Sequence, residues 1–507
     1  MTVAAKAKGE APTSPKPAVI AANANTKPVD LPRELEGVVH ILTCGSVDDG
    51  KSTLIGRLLW DAADLPEDTR ATLQRGAGAD GQPDLSLLVD GLAAEREQGI
   101  TIDIAWRYFD TANRRYVIID SPGHEQYTRN MASGASHADV AIMLVDARDG
   151  VKKQTRRHAA ILDLLGVRRV ILAVNKMDLV SWSQAQFEAI ETDFRSITGR
   201  FNFETAVAVP VAAKLGDNVA RRSKELSWYA GPTLLDALDA TPSRGHVTGG
   251  DFRFPVQTVL RGERDFRGLA GTVTAGEVRV GDAVVDATSG RQANVRRIAT
   301  FDGDLQRATT GQAIVLQLDT DLDVARGAVL SAPVARPTLA HQIDARLVWL
   351  ADAPLDTDHG LLLRTATDLV PVSAISVRGR LNLETMGETA GTICAANDIV
   401  LADIELGRAT PLDRFADQRE TGSFVLVDAL SGATLAGGNV VAAAERPLSH
   451  RPDRFRLTVD TLARGVCAGV EIGSHEFRRR AQDVAIILRA AGVGVEVEDA
   501  GNFGSQP

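Results

Sequence analysis

From about position 37 to about 240, short apolar runs alternate with longer stretches of helical periodicity. The runs fall at 38–42, 116–119, 140–145, 170–174 and 206–211. They are rich in aliphatic and β-branched residues without a polar residue at every second position, so each predicts a strand buried on both faces. Such strands alternating with helices predict a mainly parallel sheet covered on both sides. Ligands of these sheets sit beyond the carboxyl ends of the strands.

The pattern changes after the linker-like stretch at 243–250. Residues 271–282 alternate apolar and polar positions and then turn at Gly281 and Asp282. A second alternating region follows Pro337, at 345–349, 372–377, 399–404 and 424–427. Two such units, each of roughly 80–110 residues, predict two all-β barrel domains. The expected organisation is a disordered leader at 1–33, an α/β domain at 34–245, barrels at 250–335 and 336–444, and an extension at 445–507 of unassigned role. Within the extension, 477–491 reads as an amphipathic helix and 493–497 as a short strand.

Composition narrows the function classes. A chain of 507 residues holds about three domains at roughly 150 residues each. With 44% hydrophobic and 24% charged residues, wholesale disorder is excluded. No run approaches the ~18 apolar residues of a membrane span. The three cysteines, Cys44, Cys394 and Cys467, are scattered and odd in number. They argue against a disulfide scaffold or a cysteine-ligated metal and for a reducing, cytoplasmic setting. Fifty-six basic against 66 acidic residues give a net charge of −10, which disfavours nucleic acid as the main ligand. The leader is mostly Ala, Lys, Pro, Thr and Asn, and its apolar run at 18–22 is too short for a secretory signal.

The chemistry begins at Gly45-Ser46-Val47-Asp48-Asp49-Gly50-Lys51-Ser52, which fits G-x-x-x-x-G-K-[ST] between an apolar strand and a helical run that starts at Thr53. Glycines let backbone N–H groups converge on phosphates, and the helix N-terminus adds its positive dipole end. Lys51 is expected on the β- and γ-phosphates, and the Ser52 hydroxyl on Mg²⁺. The base is read by Asn175-Lys176-Met177-Asp178, which follows the run at 170–174. A carboxylate at Asp178 accepts both N1–H and the exocyclic amine of guanine, a donor pair adenine lacks. Asn175 would hold the loop and the base, and the Lys176 stem would cover one ring face.

Asp120-Ser121-Pro122-Gly123-His124 ends another strand. Asp120 is expected to hold Mg²⁺ through water, and the Gly123 N–H can approach the γ-phosphate because no side chain intervenes. His124 would then orient the attacking water. Thr101, within Gly99-Ile100-Thr101-Ile102-Asp103, is the candidate second hydroxyl on Mg²⁺ and a γ-phosphate sensor. The preceding Glu95, Arg96 and Glu97 read as a solvated helix face.

Together these motifs resemble the translation-factor class of GTPases, typified by elongation factor Tu, and so an α/β P-loop GTPase domain followed by two β-barrels. The first motif, extended through Gly56-Arg57-Leu58-Leu59, is similar to one branch, the large GTPase subunit of bacterial sulfate adenylyltransferase. Asp48 and Asp49 are the distinguishing pair, since elongation factors carry His-Gly or Ala-Gly after their Asp. The segments 99–103, 213–218 and 421–428 are also similar to that branch, and the likeness covers about 37–442.

The resemblance implies GTP and Mg²⁺ as ligands and a separate small catalytic subunit as partner. That subunit makes adenosine 5′-phosphosulfate and pyrophosphate from ATP and sulfate, and GTP hydrolysis drives it. The resemblance also gives Val47 and Ile100 a place in a hydrophobic gate around His124, although simple packing accounts for them equally well. The last base-contacting loop usually reads Ser-Ala-[Lys/Leu]; here it is Ala212-Ala213-Lys214, with guanine O6 expected on the Ala213 N–H. Some relatives are fused after the second barrel to adenylylsulfate kinase, which makes that enzyme a second candidate partner. No further G-x-x-x-x-G-K-[ST] occurs after 250, so no kinase activity is expected of this chain. An elongation-factor-type GTPase delivering aminoacyl-tRNA is the alternative reading.

Overall fold

The computed structural model describes residues 37–63, 67–75, 83, 85–89, 101, 103–111, 114–242, 250–262, 266–356, 360–391, 393–445, 455–457, 462, 466–472, 474–490 and 495–497. The leader at 1–33 and most of the linker at 243–250 lie outside them. The first unit is built on six strands: β1 (Val38–Gly45), β2 (Ala105–Asp110), β3 (Arg115–Asp120), β4 (Val140–Asp146), β5 (Arg169–Asn175) and β6 (Thr205–Pro210). Their order is β2-β3-β1-β4-β5-β6. β1 and β3–β6 are parallel, and β2 lies antiparallel to β3 at one edge. The five parallel strands match the five apolar runs. β2 carries Arg107 and Asp110 among its aromatic residues and is half exposed, so it has no unbroken apolar signature.

The helices are α1 (Lys51–Ala62), α2 (Glu67–Arg75), α3 (Thr128–His137), α4 (Lys153–Leu164), α5 (Gln184–Thr198) and α6 (Leu234–Asp239). They cover the sheet on both faces, and the strand period of two divides the core. On β4, Ile142 and Leu144 pack with Leu54, Leu58 and Leu234 from α1 and α6. Met143 and Val145 pack with Met131, Ile161 and Phe187 from α3, α4 and α5. Every position of β4 is therefore buried. A buried aliphatic side chain of this kind contributes roughly 1.5–3 kcal/mol relative to exposure.

Both β units close on themselves. In the first, Ala283–Asp286 pairs with Gln292–Thr300 on one side and Val329–Ser331 on the other, which joins six strands in a ring. In the second, Leu361–Arg364 pairs with Leu369–Leu381 and Ser423–Asp428, with the same result. The alternation read at 345–349 is that of Thr338–Trp349, whose Ala345, Leu347 and Trp349 point into the barrel core.

The second barrel is seated on the α3–α5 face, where Val348, Met386 and Ile399 extend the apolar core. Arg346 donates to Asp163 at the end of α4 (2.9 Å), and Asn439 donates to the Leu164 carbonyl. Asn397, on a barrel loop, donates to the Glu125 carbonyl at 3.3 Å. The first barrel is tied to the second by Arg253, which grips both carboxylate oxygens of Asp413 at 2.8 and 2.9 Å.

In the extension, the helix read at 477–491 is His475–Ala490, and its Phe477, Ala481 and Ala485 pack on Leu462 and Cys467. The strand read at 493–497 is Val495–Val497, paired in parallel with Phe455–Leu457. Among the described residues no helix is long and apolar enough to cross a membrane.

Candidate functional site

The chain leaves β1 at Gly45 and turns into α1 through two left-handed residues, Asp48 at φ 69° and Gly50 at φ 93°. A side chain at Gly50 would run into the Asn175 amide, so the sharp turn and the close approach both require glycine there. Lys51 is buried, and its Nζ donates to the Gly45 and Ser46 carbonyls at 3.1 and 2.9 Å. Burial pulls its ammonium below the ordinary value, while the Asp120 and Asp49 carboxylates act in the opposite sense. Asp49 is buried as well. Burial raises its carboxyl above the usual range, opposed by the Ser46 N–H on Oδ2 (2.6 Å) and by Lys152 3.6 Å from Oδ1. The buried Ser46 Oγ has no hydrogen-bond partner among the described residues.

Asp120 ends β3 beside this turn. It accepts from Thr43 Oγ1 at 3.0 Å, and the Ser121 hydroxyl donates to the Thr43 carbonyl at 2.6 Å. Pro122 and Gly123 are buried against the phosphate loop, and any side chain at Gly123 would collide with Lys51 and the Gly45 carbonyl. His124 is exposed. Its Nδ1 accepts from the Gln126 N–H (3.2 Å) and caps the short helix Glu125–Tyr127. With Nδ1 accepting, the ring proton resides on Nε2. Glu125 is held by the buried Arg157 at 2.7 Å, and the hydrogen bond from that guanidinium lowers its carboxyl below the usual range. Thr101 is partly buried and makes no hydrogen bond among the described residues. Val47 is partly buried, and Gly99 and Ile100 lie outside the described residues.

The residues expected to read the base converge on the same turn from β5 and from the loop after β6. Asn175 Nδ2 donates to the Asp49 carbonyl at 2.8 Å, and its Oδ1 accepts from the Ala213 N–H at 3.0 Å. The Ala213 amide expected on guanine O6 is thus already engaged by Asn175, and O6 could share it only in a three-centre bond. The reason is that one Asn side chain bridges two loops. Lys176 takes a left-handed conformation, φ 63°, and stretches to the Asp48 carbonyl and to Asp146 (3.0 Å). Burial alone would raise the Asp146 carboxyl, but hydrogen bonds from Arg148 and Lys176 hold it well below the usual range. Asp178 is partly exposed, and its carboxylate makes no hydrogen bond among the described residues.

Sequence reasoning missed Asp146, Arg148 and Arg57. Arg148 grips Asp146, which anchors the Lys176 stem. Arg57, on α1, donates to the carbonyls of Ala213 and Lys214 at 3.2 and 2.6 Å. An arginine inside a phosphate-loop helix was the available signal for it.

The site fits a nucleoside triphosphate. Backbone amides, a buried lysine and an orphaned Ser46 hydroxyl line the turn, and clamped polar groups lie beyond it. The hydroxyls of Ser52 and Thr101 and the carboxylate of Asp120 are hard oxygen donors of the type Mg²⁺ prefers.

Residues 36–243 match the family described as the elongation factor Tu GTP binding domain, and 342–441 match the GTP-eEF1A C-terminal domain-like family. Sulfate adenylyltransferase subunit 1 of Laribacter hongkongensis is 44% identical over 445 residues, 85% of this chain and 92% of its own. That of Methylorubrum populi is 45% identical over 442 residues, 86% of this chain and 94% of its own. The bifunctional enzyme NodQ of Rhizobium sp. is 46% identical over 418 residues; the match covers 82% of this chain but only 65% of NodQ.

Proposed function

The chain belongs to the family of GTPases that form subunit 1 of sulfate adenylyltransferase, and we propose that it hydrolyses GTP to drive the making of adenosine 5′-phosphosulfate and pyrophosphate from ATP and sulfate on a separate small subunit. The observation that carries this reading is the single hydrogen-bonded assembly of phosphate loop and base loops through Asn175. It stands on a chain with close relatives along most of its length.

Gly45, Ser46, Val47, Asp48, Asp49, Gly50 and Lys51 bind the phosphates, with Ser52 and Thr53 opening the helix whose N-terminus faces them. Asp178 reads the guanine edge, while Lys176 and the Ala212-Ala213-Lys214 loop flank the ring. Ser52, Thr101 and Asp120 would hold Mg²⁺, which would supply charge neutralisation at the phosphates. His124 orients a water for attack on the γ-phosphorus. The bond to the β,γ-bridging oxygen breaks, and GDP and phosphate leave. In the structure His124 Nδ1 is engaged by the Gln126 N–H, which leaves Nε2 as the ring nitrogen for this role.

The phosphate–sulfate anhydride is a high-energy product. A GTPase can lift its yield only by changing conformation between nucleotide states and biasing its partner. We place the complex in the cytoplasm, in keeping with three cysteines that are all unpaired and buried. The test is a reconstitution with the small subunit, ATP and sulfate. Adenylylsulfate formed per GTP consumed should be stoichiometric, and Lys51→Ala should leave only the poor unassisted equilibrium. Product indifferent to GTP, together with hydrolysis indifferent to the small subunit, favours the translation-type alternative.

A further inference from the structure

Arg57 is a charged residue in the helix that starts at the phosphate-binding lysine, yet it is only 7% exposed. Its guanidinium forks across the chain. Nε donates to the Ala213 carbonyl at 3.2 Å, one terminal nitrogen donates to the Lys214 carbonyl at 2.6 Å, and the other lies 3.6 Å from Asp61 one turn along α1. The loop is shaped to receive it. Gly216, at φ 87°, lies against the guanidinium, and a Cβ there would sit 3.3 Å from Arg57 Cδ and Nη1.

We propose that Arg57 is the positioning residue for guanine selection, setting the Ala212-Ala213-Lys214 loop at a fixed height against the C6 edge of the base. The inference rests on the reading that this loop flanks guanine. Ala212 opens the loop and has no hydroxyl to stiffen it. Arg57 supplies the stiffness from outside. The Ala213 residue is pinned at its N–H by Asn175 and at its C=O by Arg57, so it has little freedom to tilt. Both bonds from Arg57 are charge-assisted, and only a planar fork reaches two successive carbonyls at once. Lysine has one point charge and cannot reproduce it. Asp178, on the other loop, has no bond to Arg57. The C6 and C2 edges of the base are therefore held by separate devices, and the first of them is anchored on the helix that begins at Lys51 and Ser52.

This separation gives the experiment. Binding of GTP, 6-thio-GTP and ITP is measured on the full chain, wild type, Arg57→Met and Arg57→Lys, each checked by a thermal melt. 6-Thio-GTP keeps N1–H and the C2 amine but replaces O6 with a weak acceptor, whereas ITP keeps O6 and lacks the amine. The wild type should favour GTP over 6-thio-GTP by about threefold to tenfold, as befits an O6 bond from the shared Ala213 N–H. Arg57→Met should compress that ratio to about twofold or less while leaving the GTP-to-ITP ratio within about twofold of wild type. Arg57→Lys should fall between, and it carries the test if the methionine variant fails to fold. A proportional loss for all three nucleotides, or an unchanged 6-thio-GTP ratio, overturns the positioning role. A wild type that does not discriminate against ITP at all removes the base-reading assignment itself, which is a different failure.

Discussion

At the proposed base end of the cleft, Asn175 and Lys176 are each tied to two loops and Arg57 to two successive carbonyls of one loop, and each of the three makes a bond that spans over a hundred residues of sequence. At the hydrolysis end, His124 is exposed and bonded only to its own short helix, and Thr101 makes no hydrogen bond among the described residues. The contrast follows from what each end has to do. Reading a base is a static comparison of donors and acceptors, which rewards groups already in place. With hydrolysis coupled to a partner, as proposed, its groups gain from being held loosely until that partner is ready. On the proposed assignments, the nucleotide is selected by a stiff site and cut by a pliable one.

The largest effect should come from the loose end. His124→Ala should lower GTP turnover by about 10²–10⁴-fold with little change in GTP affinity, because the ring acts on water rather than on phosphate. Single-turnover hydrolysis beside equilibrium binding separates the two, and a parallel loss of binding would show that His124 belongs to the stiff end after all.

Next comes the base end. Asp178→Asn should move preference from GTP toward xanthosine triphosphate by about 100-fold, since an amide donor matches a C2 carbonyl and repels the C2 amine. Competition binding reads it directly. Hydrolysis of whichever nucleotide is bound should proceed at an unchanged rate if the ends are independent.

A smaller effect should appear beneath both ends. His158, on α4 and within electrostatic reach of Lys51, is fully buried, and burial pulls its ring down to about 3. The unfolded chain regains an imidazole titrating near 6.5, so it takes up a proton that the folded chain refuses. Stability present above about pH 6.5 is therefore lost as pH falls toward 3. Between pH 7 and 5 the wild type should lose about 2 kcal/mol more than His158→Gln. Urea midpoints at the two pH values check this, and equal losses would mean that the ring is protonated in the folded state.

These contrasts also mark how far the sequence could be read. The phosphate loop, the Asp120 turn and the Asn175 turn are contiguous motifs at strand ends, and their spacing carries both geometry and chemistry. Apolar runs announced the five parallel strands because both faces are buried. β2 stayed hidden because an edge strand with one wet face mixes Arg107 and Asp110 with Trp106 and Phe109. Arg57 and the Arg148–Asp146 pair were hidden for another reason. Arg57 meets Ala213 156 positions along the chain and Asp146 meets Lys176 on a different loop, so neither partner can be read from the neighbouring sequence. The residues proposed to read the base stand in a motif that the sequence displays, whereas the clamps that hold them do not.

The closure of both barrels has a consequence for encounters with other proteins. A strand at the rim of an open sheet offers a row of unpaired amides and carbonyls on which a foreign chain can template itself. In each six-stranded ring most of those groups pair with a neighbouring strand, and the two appended strands, Gly303–Leu305 and Glu388–Ala390, are three residues long. Strand addition and its pathological extension into aggregates find little purchase there. A partner that docks on either barrel meets mainly side chains and loop tips, a mode of contact that single substitutions can retune without disturbing the ring.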